Sequence, residues 1–396
     1  MTQNAMLNMK QFLFHISHYI LLIGLLVSCS SDNNECTITI KPTLEAASIE
    51  TAGIIGDMQL IRLETNEDCL IGDIDKIIAT DDRLYIADFS LTQNVFIFDL
   101  TGKYINKIAR RGRSQNEYNS LQDIFFNKED NTINLLSRGK SKILKFDKDG
   151  GFIETHDLPA EFVEIVYLDN YYYAVAGFYA QEWCKNDNVV KFDKNNHLYG
   201  SWFPINGPQG DHRLYNRMFQ YDDNIYYVDN WMFSVYNIND GNLRYKFHFA
   251  GGAQRPTHLD DANSYKKYLE TEHLAYQHIT SVDKVQETDG YVLASYICDG
   301  NSQLAVHNKL TNQTDAFDLG FVDKYYALPF GSLVGIDESY MVSYISAKRV
   351  KTMQQGYNEY NDFREEYPEQ IAKLQAMFPP ILEDDNPFVA IYKLSI

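Results

Sequence analysis

Residues 85–124 read YIADFSLTQNVFIFDLTGKYINKIARRGRSQNEYNSLQDI. Two short runs rich in aromatic and β-branched residues, the composition of half-buried strands, flank a Leu-Thr-Gly-Lys turn. Three arginines in four residues follow, and then another strand-like run begins. Asp99-Leu100-Thr101-Gly102 is hairpin chemistry, because glycine accepts the left-handed backbone that a tight turn needs.

The same pattern recurs along the chain as a strand, a polar loop, a strand ending in an aromatic residue and Asp or Asn, a tight turn, and a third strand. Further copies contain ILKFDKDGGFIETHDL, NVVKFDKNNHLYGSWF, FSVYNINDGNLRYKFHF and LAVHNKLTNQTDAFDL, and the last is NPFVAIYKLSI at the C-terminus. Their pre-turn residues are Asp99, Asp147, Asp193, Asn237, Asn308 and Lys393, spaced 48, 46, 44, 71 and 85 apart. The first three spacings match the roughly 40–50 residues of a four-stranded propeller blade. DKDGG at 147–151 lacks the later oxygen ligands of a calcium loop and reads as a hairpin. Six copies predict an all-β, six-bladed β-propeller, since radial closure covers both faces of every blade. The sixth copy lacks a fourth strand, and DMQLIRL at 57–63 is expected to supply it, which closes the ring with both ends of the propeller at residues 57–396.

The N-terminus bears on compartment. Lys10 precedes the apolar run YILLIGLLV at 19–27, too short for a bilayer core and fitting a secretory signal. Leu26-Val27-Ser28-Cys29 resembles a lipobox, predicting a signal peptide over 1–28, lipidation of Cys29, and a tether and N-terminal segment over 29–56. The protein is then expected on the cell envelope, at the outer membrane, held by its acyl groups. Cys36, Cys69, Cys184 and Cys298 are widely spaced, and their spacing specifies no disulfide framework. The net charge of −19 repels phosphate backbones and excludes nucleic acid as an expected partner.

Residues 83–124 are similar to an NHL-type repeat. With the lipobox and the closing DDNPFVAIYKLSI, the whole chain resembles six-bladed β-propeller lipoproteins of Gram-negative gut anaerobes. Those motifs are structural and imply no activity. Relatives often carry Gly-Pro-Gly where this chain has Ser114-Gln115-Asn116, which implies a less tightly turned loop.

In this architecture the connections from each outer strand to the next inner strand share a face with those joining the two middle strands. Arg110, Arg111, Arg113, Glu117 and Tyr118 lie on such a connection. The inner strands begin on that face, at Asp75, Asp123, a position near Glu164, Asn216, Asp283 and Ser332. Acidic groups round a narrow ring need neutralising, and the arginines, with Arg217, are the expected cations. The loop therefore reads either as ion pairs fastening adjacent blades or as a rim that holds a ligand. Two insertions with helical spacing, near 257–277 and 350–386, are expected on the same face.

No G-x-S-x-G, H-E-x-x-H or P-loop is present. The reading favoured is a binding module for a protein, peptide or glycan, without a cofactor. The alternatives are a metal-dependent lactonase- or lyase-like enzyme using the acidic ring to hold Ca²⁺ or Zn²⁺, and a glycan receptor using Trp183, Trp202, Phe203 and Trp231 as platforms. Mass spectrometry of membrane fractions checks the anchor: the mature chain should begin at an acylated Cys29, and an intact Ser28–Cys29 bond would refute it.

Overall fold

The computed structural model describes residues 36–42, 47–48, 53–139, 141–177, 179–205, 217–230, 232–250, 279, 282–298, 301–355 and 361–395. The lipobox, Asn216, Trp231 and the insertion near 257–277 lie outside them. Six antiparallel sheets follow one another, each starting with its inner strand: Lys76–Ala79, Ser120–Asn127, Glu164–Leu168, Met218–Tyr221, Val282–Glu287 and Ser332–Ile336. The expected six-bladed propeller is what forms.

Burial follows from the radial arrangement. Leu84–Asp88, the second strand of blade one, is buried at every position, because neighbouring blades cover both of its faces. The outer strand Tyr104–Ile108 is mostly half-buried. Core clusters accordingly lie between blades. Tyr85, Val95, Ile97 and Ile108 of blade one pack with Leu121, Ile124, Ile133 and Leu135 of blade two.

The repeated Asp or Asn has a mechanical role. Asp99 Oδ1 accepts the N–H groups of Thr101 (2.8 Å) and Lys103 (3.0 Å). Asp147 accepts Asp149 and Gly151, Asp193 accepts Asn195 and His197, and Asn308 accepts Leu310 and Thr311, all within 2.8–3.0 Å. A short side-chain oxygen that satisfies N–H groups two to four residues on holds each outer hairpin shut.

Blade six is built from both ends of the propeller. Phe388–Leu394 pairs antiparallel with Ile55–Arg62, with Phe388 opposite Arg62 and Leu394 opposite Ile55. Just before that strand, Asn386 is 2 % exposed. Its Nδ2 donates to the carbonyls of Glu64 (2.7 Å) and Cys69 (2.8 Å), and its Oδ1 accepts Ile71 N–H at 3.0 Å. Arg62 Nη2 adds an ion pair with Asp385 at 2.9 Å. Cys69 is held beneath this clamp, its thiol pushed up by burial. Cys184 is likewise a buried free thiol, pushed up to about 12.

The stretch read as tether and N-terminal segment also contributes strands. Thr37–Ile40 adds in parallel to Leu243–Phe249 outside blade four, and Ala47–Ser48 adds in parallel to Gln313–Asp318 outside blade five. Ile38 and Ile40 point inward and pack with Phe247 and Phe249.

Between the second and third strands of blade six run three helices, Ala347–Gln354, Asn361–Glu366 and Pro368–Met377. Ser346 caps the first, and Pro368 opens the third where its fixed φ is tolerated. Val350, Met353 and Leu374 are buried with Phe321 and Phe388, so aliphatic side chains anchor the insertion to blades five and six. Arg364 is exposed and donates to the Gln355 carbonyl at 2.9 Å. Among the described residues no helix is long and apolar enough to cross a membrane. Asn386→Ala should lower unfolding free energy by about 2–4 kcal/mol, as buried carbonyls and an N–H lose their partner. Urea unfolding checks this, and an unchanged midpoint would show that strand pairing alone closes the ring.

Candidate functional site

The six inner strands enclose a central channel with a cavity of about 960 Å³. Where those strands begin, Lys76, Glu164 and Lys284 line it. Asp123, 1 % exposed, accepts Lys76 Nζ at 2.7 Å. Burial pushes the Asp123 carboxyl up, and the Lys76 ammonium pulls it back. Glu164 belongs to the next blade. Its Oε2 accepts Arg217 N–H at 2.8 Å and its Oε1 accepts Met218 N–H at 3.2 Å, which stitches blade three to blade four. Burial pushes Glu164 up to about 7. Lys76, Arg217 and the Arg217 N–H oppose that shift, and the negative charge of Asp123 adds to it.

Lys284 differs from Lys76. Among the described residues its ammonium makes no ion pair or hydrogen bond. Burial pushes it down, and only Asp283, beside it on the same strand, pulls it up. By surface area the side chain is half-buried, yet protein atoms surround it densely. The two observations agree if the water that reaches it is channel water. One layer further along the channel come half-buried Ile78, Phe126, Val166 and Ile336, with Gln220 and Gln286. Hairpins carrying Asp81, Asp82, Lys128 and Asp337 form the far mouth. There Asp82 pairs with Lys148 at 2.6 Å and with Arg83 at 3.1 Å.

The arginine loop lies elsewhere. It joins the outer strand of blade one to blade two, and its arginines are not among the residues that line the channel. Arg110 Cζ stands 4.7 Å over the ring of Phe152, on the outer strand of blade two. Arg111 Nε donates to the Asn119 carbonyl at 3.3 Å. Glu117 Oε2 accepts Ser114 N–H at 2.8 Å and crowds Gly112, where a Cβ would lie 2.0 Å from that oxygen. Tyr118 is fully buried, and its hydroxyl donates to the Gln93 carbonyl at 2.6 Å; burial pushes it up to about 12. Asp75 Oδ2 accepts Phe89 and Ser90 N–H groups at 2.6 and 3.1 Å, tying down a loop of its own blade.

Of the acidic ring, the structure brings Asp123 and Glu164 together at the channel, while Asp75 is engaged by backbone and Asp283 sits beside Lys284. The expected arginine partner of Asp123 is corrected: the cation there is Lys76. A lysine on the inner strand itself reaches the channel, whereas a loop starting from the outer strand leaves Arg110 at the outer blade junction. The signal was present in DKIIATDD at 75–82 and DKVQETDG at 283–290, which place an Asp-Lys pair at the same distance before the hairpin. Gln93 was also missed. Its Oε1 accepts Leu121 N–H at 2.7 Å across the blade junction, from a residue at φ 59°.

Ca²⁺ takes six to eight oxygens. Asp123 faces an ammonium and Glu164 faces two N–H groups, so these carboxylates do not fit that shell. Among the described residues no group of three His, Cys, Asp or Glu side chains converges. The three expected glycan platforms among the described residues are packed. Trp183 meets Phe192 edge-on with centroids 5.4 Å apart, Phe203 stacks on Tyr227 at 5.0 Å, and Trp202 covers Gly200 and Gly241.

The family described as a domain of unknown function, DUF4934, matches residues 36–393. No curated protein matches. Among solved structures, a protein of Bacteroides fragilis described as exported superposes with a TM-score of 0.69 at 15 % identity, covering 91 % of this chain and 100 % of that one. A member of the DUF4221 family from Bacteroides vulgatus gives a TM-score of 0.47 at 11 % identity, over 86 % and 97 % of the two chains. At these identities the likeness concerns the fold.

The raised Glu164 carboxyl fixes a sign. The folded chain retains a proton that the unfolded chain releases, so this group's contribution is complete below its ordinary 4.5 and is lost as pH rises through about 7. Glu164→Gln should flatten that part of the stability profile, read as thermal unfolding across pH 5–8. A slope identical to that of the unsubstituted protein would refute it.

Proposed function

The chain belongs to the DUF4934 family, and we propose that it is a non-enzymatic binding propeller of the cell envelope, lipid-anchored at Cys29, whose partner is a protein. The recognition surface is the face that carries the outer-to-inner connections and the helical insertion. One observation carries this reading. Nine large apolar side chains stand exposed among the described residues, and six of them, Leu70, Leu91, Met232, Ile297, Met377 and Leu382, lie on or at the end of connections on this face. Ile153 and Tyr199 are on outer strands, and Leu310 is on the opposite face. Exposed apolar groups scattered singly need no explanation; the placing of six of the nine on one face is what we read as a docking surface.

The carboxylates support the non-enzymatic reading. Asp123 is engaged by Lys76 and Glu164 by backbone N–H groups, and among the described residues no group of three His, Cys, Asp or Glu side chains converges to hold a metal for a lactonase or lyase. The description of the Bacteroides fragilis protein as exported agrees with an envelope location.

Leu91→Glu combined with Leu382→Glu should remove partners crosslinked to the protein in cells, while Leu310→Glu should leave them in place. Partners retained by the double variant, or lost equally with Leu310→Glu, would overturn the assignment of the face. Cys29→Ser should move the protein from the membrane to the soluble fraction without altering its fold.

A further inference from the structure

The docking face does not account for the interior of the channel, which joins two features that otherwise oppose each other. One is a lysine set deep in the wall with no partner among the described residues; the other is an apolar band directly beyond it. A charge taken out of bulk water without a counter-charge is costly, and proteins normally pair it. Lys76 shows the ordinary solution, with Asp123 at 2.7 Å. Lys284 occupies the corresponding place in blade five without such a partner, and its side chain lines the cavity.

We propose that the channel binds a small amphipathic monocarboxylate, its carboxylate on Lys284 and its apolar body along Ile78, Phe126, Val166 and Ile336. The inference rests on the channel alone and is independent of the docking face.

The charge balance selects the class. Lys76 and Asp123 cancel, so the groups that decide the sign of the site are Lys284 and Glu164. Glu164 faces Lys76, Asp123 and Arg217, and Lys284 has Asp283 beside it on its own strand, which does not line the cavity. The other charged lining residues, Asp81, Asp82, Asp337, Lys128 and Lys148, lie toward the far mouth, so with Glu164 protonated the end where the inner strands begin carries one ammonium without an ion pair among the described residues and attracts one negative charge. A dianionic phosphate would lack a second cation. A sugar acid would place hydroxyls against Ile78, Phe126, Val166 and Ile336, where only Gln220 and Gln286 offer polar partners. The cavity of about 960 Å³ is ample for such a molecule and within the about 300–1,000 Å³ usual for small-ligand sites.

Binding should depend on pH with a definite sign. Rising pH ionises Glu164 beside the site, which repels a carboxylate, and also favours the neutral form of Lys284. Both changes weaken an anion and would strengthen a cation.

The probe is octanoate, titrated calorimetrically at pH 6 and pH 8, where it is ionised throughout, with octyltrimethylammonium as the cation of matching tail. Octanoate should bind, about tenfold more weakly at pH 8 than at pH 6, as expected for one added like charge in a partly shielded site. Lys284→Met, with an unchanged unfolding curve, should abolish the binding. Glu164→Gln should reduce the pH dependence to the part that Lys284 contributes. The Leu91→Glu, Leu382→Glu protein should bind octanoate like the unsubstituted one, which separates the channel from the docking face. Each of the following would overturn the proposal: no octanoate binding at millimolar concentration, equal binding of octyltrimethylammonium, binding that survives Lys284→Met, or affinity that rises with pH.

Discussion

Ring closure is the constraint on which the rest of this molecule depends. A single blade has two open edges and two apolar faces, and the cores here lie between blades rather than within them. No blade can bury its faces unless its neighbours are in place, and the last neighbour is made from two distant parts of the chain. The pairing of Phe388–Leu394 with Ile55–Arg62 supplies that blade. Asn386 then fastens the connection to blade one, accepting an N–H and donating to two carbonyls that would otherwise be buried without partners. The N-terminal strands extend the same logic outward. Thr37–Ile40 lies along blade four, Ala47–Ser48 along blade five, and the next strand completes blade six, so one segment binds three consecutive blades.

Closure also creates the channel, and the channel sets the electrostatics. Six inner strands meeting at an axis bring the side chains of Lys76, Glu164 and Lys284 into the lining of one cavity, with Asp123 buried against Lys76. Each charge has a different local answer. Asp123 takes an ammonium, Glu164 takes two backbone N–H groups of the next blade and is held near neutrality, and Lys284 faces the cavity. Asp75, equivalent to Asp123 in its own blade, is instead spent on the loop at Phe89 and Ser90. Equivalent positions in a repeat thus diverge in role once their surroundings differ.

The arginine-rich segment shows how a conspicuous sequence feature can be structural. Its backbone is held by Tyr118, whose N–H donates to the Arg110 carbonyl at 3.1 Å and whose carbonyl accepts Gly112 N–H at 2.9 Å. The Tyr118 hydroxyl reaches back to Gln93 in blade one. Arg110 covers Phe152 of blade two, so the segment fastens two blades through aromatic packing and backbone bonds.

The sequence by itself determined the blade count, the positions of the outer hairpins and the origin of the closing strand. These rest on local chemistry: an Asp or Asn that must satisfy nearby N–H groups, a turn that needs glycine, and β-rich runs at a repeating interval. It also indicated an inner ring containing Asp123 and Glu164, because the ring follows from repeat alignment. Only the tertiary structure decided which cation meets which carboxylate, since Lys76 and Asp123 are 47 residues apart and approach each other only when adjacent blades dock. Thr37-Ile38-Thr39-Ile40 was read only as part of a tether and N-terminal segment, although its alternation suits a strand. Its parallel partner, Leu243–Phe249, was not legible in the sequence, because the two are brought side by side only by the closed ring.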